Sequence, residues 1–165
     1  MPHEFEAQDG DVRSTGFPGL VRNNGTTIPV AGYAFDASTE EALFFRFRAS
    51  DYAGGAAAVP VELAWYADSA TTGAVMWGAQ LAAITPNVDT QDVETDGLLA
   101  VTTVTTTHLG TVGQRLHRSI ISLSGAALDA LEPNDVAVVR VARIAANAAD
   151  TMAGDAILLY VYIGA

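Results

Sequence analysis

The chain has no cysteine and no lysine. Without cysteine there can be no disulfide framework, thiol nucleophile or thiolate metal site. Every cationic side chain is an arginine (Arg13, Arg22, Arg46, Arg48, Arg115, Arg118, Arg140 and Arg143), against 19 Asp and Glu, for a net charge of −11. A nucleic-acid backbone or an anionic membrane surface needs clustered cations, so neither is an expected partner. Charged residues are also scarce, at 16% of the 165 positions where about a quarter is usual. A surface with so little charge favours packing against other chains. No apolar run approaches the ~20 residues of a membrane helix. The first ten residues carry Glu4, Glu6 and Asp9 in place of an apolar h-region, so no secretory leader is expected, and the Asn24-Gly25-Thr26 sequon carries no meaning without export.

The hydrophobic half of the sequence is rich in Ala and Val and is arranged as strands. Residues 1–27, with Gly10, Gly16, Pro18, Gly19, Asn23, Asn24 and Gly25, read as an extended N-terminal arm, and 28–165 as one β-domain. Expected strands are Ile28–Phe35, the alternating Leu43, Phe45 and Phe47, and Val61, Leu63 and Trp65 opposite Glu62, Ala64 and Tyr66. Then come Val75–Ile84, Leu99–Thr107, Leu116–Leu123, Val136–Ile144 and Ala156–Ile163. Gly125–Leu131 is the one helical candidate, stopped by Pro133. With no long crossover helix the sheets must be largely antiparallel, and eight such strands predict a two-sheet jelly-roll sandwich. In the last strand simple alternation puts Ile157, Leu159, Val161 and Ile163 on one face and Leu158, Tyr160 and Tyr162 on the other. It is apolar on both sides, and a second subunit is the simplest second cover.

Reactive constellations do not emerge. Asp92-Val93-Glu94-Thr95-Asp96-Gly97 mimics the opening of a calcium loop, but the twelfth position, which needs a bidentate Glu, is Thr103 in a predicted strand. The segment reads as a solvated acidic loop. His108 and His117 flank a Gly-containing turn that can bring them together, yet a third ligand is missing, and they read as surface or interface histidines. Ser119, Ser122 and Ser124 lie outside any nucleophile elbow. Trp65, Tyr66 and Trp77 suggest a sugar-stacking platform, but both tryptophans share faces with core residues. No catalytic, cofactor-binding or metal-binding residue is therefore predicted, and no cofactor.

Three blocks carry a resemblance: Phe35–Tyr52 (FDASTEEALFFRFRASDY), Val61–Ile84 (VELAWYADSATTGAVMWGAQLAAI) and Asp135–Ile163 (DVAVVRVARIAANAADTMAGDAILLYVYI). An acidic turn precedes an aromatic strand ending in Asp-Tyr, and two Trp-bearing strands flank a Thr/Ser-Gly turn. The last two strands carry Val138–Arg140 and Asp150–Asp155. In these features, over roughly two-thirds of the chain, it resembles small virion structural proteins of tailed bacteriophages. The resemblance implies a jelly-roll capsid decoration (cement) protein with no catalytic residues. Such a protein acts as a homotrimer whose partners are itself and the major capsid protein, on the capsid surface of a virion assembled in the host cytoplasm. The alternative is a carbohydrate- or receptor-binding β-sandwich module of a phage tail or fibre, which would show exposed aromatics. A hydrolase on the same scaffold has no motif behind it.

Overall fold

The alternating segments pair as two antiparallel sheets in a computed structural model, which describes residues 2–22, 25–55 and 57–164. One sheet has six strands: β1 (His3–Glu6), β2 (Gly19–Val21), β3 (Gly32–Phe35), β5 (Val59–Ala67), β8 (His117–Leu123) and β10 (Ala156–Ile163). Its order is β2-β3-β10-β5-β8, with β1 added on β10 beyond β3. The other sheet runs β4-β9-β6-β7, from β4 (Glu41–Arg48), β9 (Val136–Arg143), β6 (Ala74–Ile84) and β7 (Thr102–Thr107). From β3 onward the chain crosses between sheets at almost every step, and only β6 and β7 are a hairpin within one sheet. That wrapping is the jelly roll expected from the sequence.

The inner faces hold the predicted core. Leu43, Phe45, Val61, Leu63, Trp65, Trp77, Leu81, Val139 and Val141 are fully buried. The rings meet edge-on, Phe35 with Trp77 at 5.1 Å and Trp77 with Trp65 at 6.0 Å. That geometry contributes about 0.5–1.5 kcal/mol per pair beyond area burial. Trp65 Nε1 donates to Ser119 Oγ at 2.9 Å, so the buried indole N–H has an acceptor and Ser119 serves as a core hydrogen-bond acceptor.

The predicted arm lies on the chain's own sandwich: β1 pairs with Glu6↔Tyr160 and His3↔Ile163, and β2 with Leu20↔Tyr33. Asp11 bridges to Phe44 with both backbone hydrogen bonds, at 2.8 and 3.0 Å. Asn23 and Asn24, counted in that arm, lie outside the described residues. The helical candidate shortens to a 3₁₀ turn, Gly125–Leu128, because Asp129 and Ala130 both take left-handed backbone, φ 51°. Asp129 keeps that conformation usefully, since its Oδ2 accepts from Ala83 N at 2.9 Å.

The faces of β10 also change. Leu158 pairs with Trp65 but Tyr160 pairs with Ala64, so Leu159 is an extra, bulged residue. Beyond it the parity flips. Leu158, Val161 and Ile163 belong to the core, while Tyr160 and Tyr162 face outward and are exposed. Gly32 is required beside the bulge, as a Cβ there would meet Leu158 O at 2.4 Å.

Arg143 is the one fully buried arginine. Its guanidinium donates to Asp150 (Nε–Oδ2 3.0 Å, Nη2–Oδ1 2.7 Å) and to the carbonyls of Phe35, Met152 and Gly154 at 3.2, 2.6 and 2.8 Å. One cation thus ties the loop between β9 and β10 to the end of β3. This accounts for Asp150 within the Asp150–Asp155 feature.

Candidate functional site

The outer face of the four-stranded sheet is apolar where solvent would ordinarily select polar residues. Successive outward positions are Phe44 and Arg46 on β4, Val136 and Val138 on β9, and Ala82 and Ile84 on β6. Cross-strand register places Arg46, Val138 and Ala82 in one row and Arg48, Val136 and Ile84 in the next. Two flanking segments turn this face into a groove. On the β4 side, the Asp11–Phe44 bridge raises Asp11, Val12 and Arg13 as a wall. On the β6 side, the loop after Ile84 contributes Pro86, Val93, Glu94, Asp96 and Leu98. The enclosed volume is about 640 Å³, within the range of about 300–1,000 Å³ usual for ligand sites.

Polar groups ring the apolar floor. The Arg13 guanidinium lies 4.7 Å from the centroid of Phe44, so a ligand meets its donors stacked on the ring. Arg46 Nη1 stands 3.6 Å from Asp11 Oδ2, an exposed pair of small energetic worth that is free to exchange partners. Asp96 accepts from Gly97 N through Oδ1 at 2.9 Å, whereas its Oδ2 is shielded from water and has no donor. In the row of Phe44 itself, Arg140 bridges Glu40 at 2.6 Å and Gln80 at 3.0 Å, and Gln80 in turn donates to Leu99 O. That chain of contacts fixes the end of the loop on the sheet, just before β7. Gly78 allows this crossing, because a Cβ would meet Val101 Cγ2 at 2.7 Å and Ile144 Cδ1 at 2.9 Å.

The residues singled out in the sequence fall in different places. Within the acidic loop, Asp92 Oδ1 accepts from Glu94 N at 2.9 Å, and Thr103 lies in β7 as expected. Among the described residues no cluster of three or more His, Asp or Glu could hold a metal ion. Glu94 and Asp96, read as merely solvated, line the groove. Both tryptophans are fully buried, which removes them as a sugar platform, and the sugar-facing candidates become Phe44 in the groove and the exposed Tyr160 and Tyr162. Tyr66 is buried as well. His108 and His117 are a correction: the turn does bring them together, at 4.5 Å between rings, but both are buried. Ser122 and Ser124 are exposed.

A separate acidic corner lies where β3 meets β4. Asp36 N donates to Glu41 Oε2 at 2.8 Å, and Asp36 Oδ1 accepts from Ser38 and Thr39 N. The hydrogen bonds from Ser38 hold Asp36 below the usual carboxylate value. Burial raises Glu41 and Asp155, and Asp36 adds repulsion to each.

No protein-family model matches the chain, and no curated protein does. Among solved structures, one neighbour comes from work on the promiscuous specificity of carbohydrate-binding modules of the β-sandwich superfamily. It aligns at TM-score 0.42 and 8% identity over 98% of this chain, which spans only 54% of that neighbour's length. Another is TmCBM61 in complex with β-1,4-galactotriose, at TM-score 0.40 and 9% identity, covering 99% of this chain and 87% of that one. The chain itself is all-β with two antiparallel sheets.

Proposed function

We propose that the chain is a carbohydrate-binding β-sandwich module that holds a neutral oligosaccharide in the groove across the four-stranded sheet. The observation that carries this reading is the groove's composition: an apolar floor ringed by two guanidiniums (Arg13, Arg46) and three carboxylates (Asp11, Glu94, Asp96). A pyranose is itself two-sided. Its C–H face suits Phe44, Val136, Val138 and Ile84, and its vicinal hydroxyls match the paired donors of arginine and the paired acceptors of a carboxylate. An anionic glycan would meet a chain of net charge −11 and is disfavoured.

Calorimetric titration with a panel of neutral oligosaccharides tests the reading. Binding by one of them is expected, weakened at least tenfold (about 1.4 kcal/mol) by Arg13→Ala and by Asp96→Asn. No heat with any neutral glycan at millimolar concentration would defeat it.

A second reading is supported by the opposite face. Tyr160 and Tyr162 on β10 and Ile120 on β8 are exposed on the outside of the six-stranded sheet, with Tyr162 and Ile120 flanking Glu62 in one row. Such a face suits subunit contacts, and with the resemblance to phage virion proteins it gives a capsid decoration protein acting as a homotrimer. Sedimentation analysis separates the readings. A trimer dispersed by Tyr160→Ser with Tyr162→Ser favours assembly, and a monomer that binds glycan favours the first.

A further inference from the structure

We propose that His108 and His117 form an acid-operated latch on the loop of residues 109–116. The geometry assigns both imidazoles as neutral acceptors. Leu109 N donates to His117 Nε2 at 3.0 Å, and Gly110 N donates to His108 Nδ1 at 2.9 Å. Consecutive backbone N–H groups of one turn are thus held by the unprotonated nitrogens of two adjacent rings. His108 has its proton on Nε2, which donates to Gly113 O at 3.1 Å across the same loop. The proton of His117 must then sit on Nδ1, which is buried and makes no hydrogen bond of normal geometry.

A proton added to either ring removes the lone pair that holds the turn. If both rings are charged, two imidazoliums sit 4.5 Å apart in a buried site. One face of the His117 ring is stacked on Trp65 at 4.5 Å and 18°, which keeps water from that side of the ring.

The charged surroundings all oppose protonation. β6 and β7 contain no titratable residue, and β5 carries only Glu62 and Tyr66, both on its opposite face, with Glu62 paired to Arg118 of β8. Asp68, just past β5, meets the loop through its backbone carbonyl, which accepts from Gln114. Burial first, and then His108, hold His117 below its ordinary value of 6.5; the Arg115 charge adds to this and the Arg115 carbonyl works against it. The neutral latch therefore stabilises the closed loop fully above pH 6.5, and the contribution declines as pH falls below 6.5 toward the folded value.

Opening stays local because the loop has further anchors outside the histidine pair. Arg115 Nη1 donates to Leu109 O at 3.1 Å, and Gly113 packs against the backbone of Ser69 and Ala70. Leu109, Val112 and Leu116 are already exposed, and Gln114 and Leu116 border a hollow over Tyr66 and Leu159 on the outer face of the six-stranded sheet. Acid would reshape that hollow without touching the groove on the other sheet.

Amide hydrogen exchange of the intact ¹⁵N-labelled chain, corrected for intrinsic pH dependence, tests the latch alongside ring titration by NMR. Protection at Leu109 and Gly110 is expected to fall by up to about tenfold per pH unit between pH 6.5 and the lower His117 midpoint and to level off below it. Amides of β8 and β10 should keep theirs. His117→Gln, which retains an acceptor but does not titrate, should flatten the pH dependence of protection at Leu109, the amide His117 holds. Titration of the rings with unchanged protection at these two amides would overturn the proposal, as would a matching loss throughout the strands. Both measurements on the wild-type chain stand even if the variant does not fold.

Discussion

Replacing Arg143 with Met removes a guanidinium that makes five hydrogen bonds, two to Asp150 and three to backbone carbonyls. Met fills most of the same volume, so the loss is electrostatic more than steric. What remains is Asp150, with 1% of its side chain exposed, facing the site without its cation. Asp150 Oδ2 still accepts from Met76 N at 3.0 Å, one donor for a carboxylate that had three. Breaking a buried pair in this way costs about 3–5 kcal/mol. Against a typical total of about 5–15 kcal/mol, that is a third or more of the stability. Urea unfolding followed by tryptophan fluorescence would show it as a midpoint lowered by about 1–5 M, for a slope of about 1–3 kcal/mol/M. Adding Asp150→Asn should recover part of the loss, because the stranded charge is then gone. A cost below about 1 kcal/mol for Arg143→Met, or a double variant as destabilised as the sum of the singles, would refute this account of the clasp.

Other outcomes follow from the same geometry. Iodide should leave the fluorescence of Trp65 and Trp77 nearly unquenched, since neither indole is exposed; strong quenching would mean that the core is misplaced. Gly78→Val should cost about 1–3 kcal/mol by overpacking against Val101 and Ile144 and should also impair the groove, whose loop wall returns to the sheet at that crossing. Glu41 and Asp155 have raised values in the fold, so the contribution each makes is present below its unfolded value and is lost as pH rises through the folded one. Glu41→Gln should therefore gain stability relative to wild type at pH 7 compared with pH 4, as read by paired urea titrations.

Strand positions were legible because alternation is a local signal. Ala156–Ile163 coincides with the expected strand, and β4, β5, β6, β8 and β9 agree to within two residues at either end. The outward turn of Tyr160 was not legible, because a single bulged residue at Leu159 reverses the face of everything after it, and the bulge depends on pairing with β5. β1 and β2 were missed for a related reason: four- and three-residue strands among Gly and Pro have no alternation to read, and only β10 and β3 give them an edge. The histidine pair was suspected from its spacing. Its burial was hidden because the covering indole, Trp65, lies more than 40 positions earlier in the sequence. The groove was the least visible feature, since its wall residues Arg13 and Asp96 come together only after β4, β9 and β6 are in register. Charge and hydropathy assigned its loop to solvent, and nothing short of the fold would have moved it.

The most direct test of the proposal that the groove holds an oligosaccharide is a chemical-shift titration of the ¹⁵N-labelled chain with the tightest neutral glycan found by calorimetry. Saturable shifts confined to Asp11–Arg13, Phe44–Arg46 and the stretch 93–98 are predicted, with β5, β8 and β10 unmoved. Shifts centred on Tyr160, Tyr162 and Ile120, with the groove silent, would contradict it.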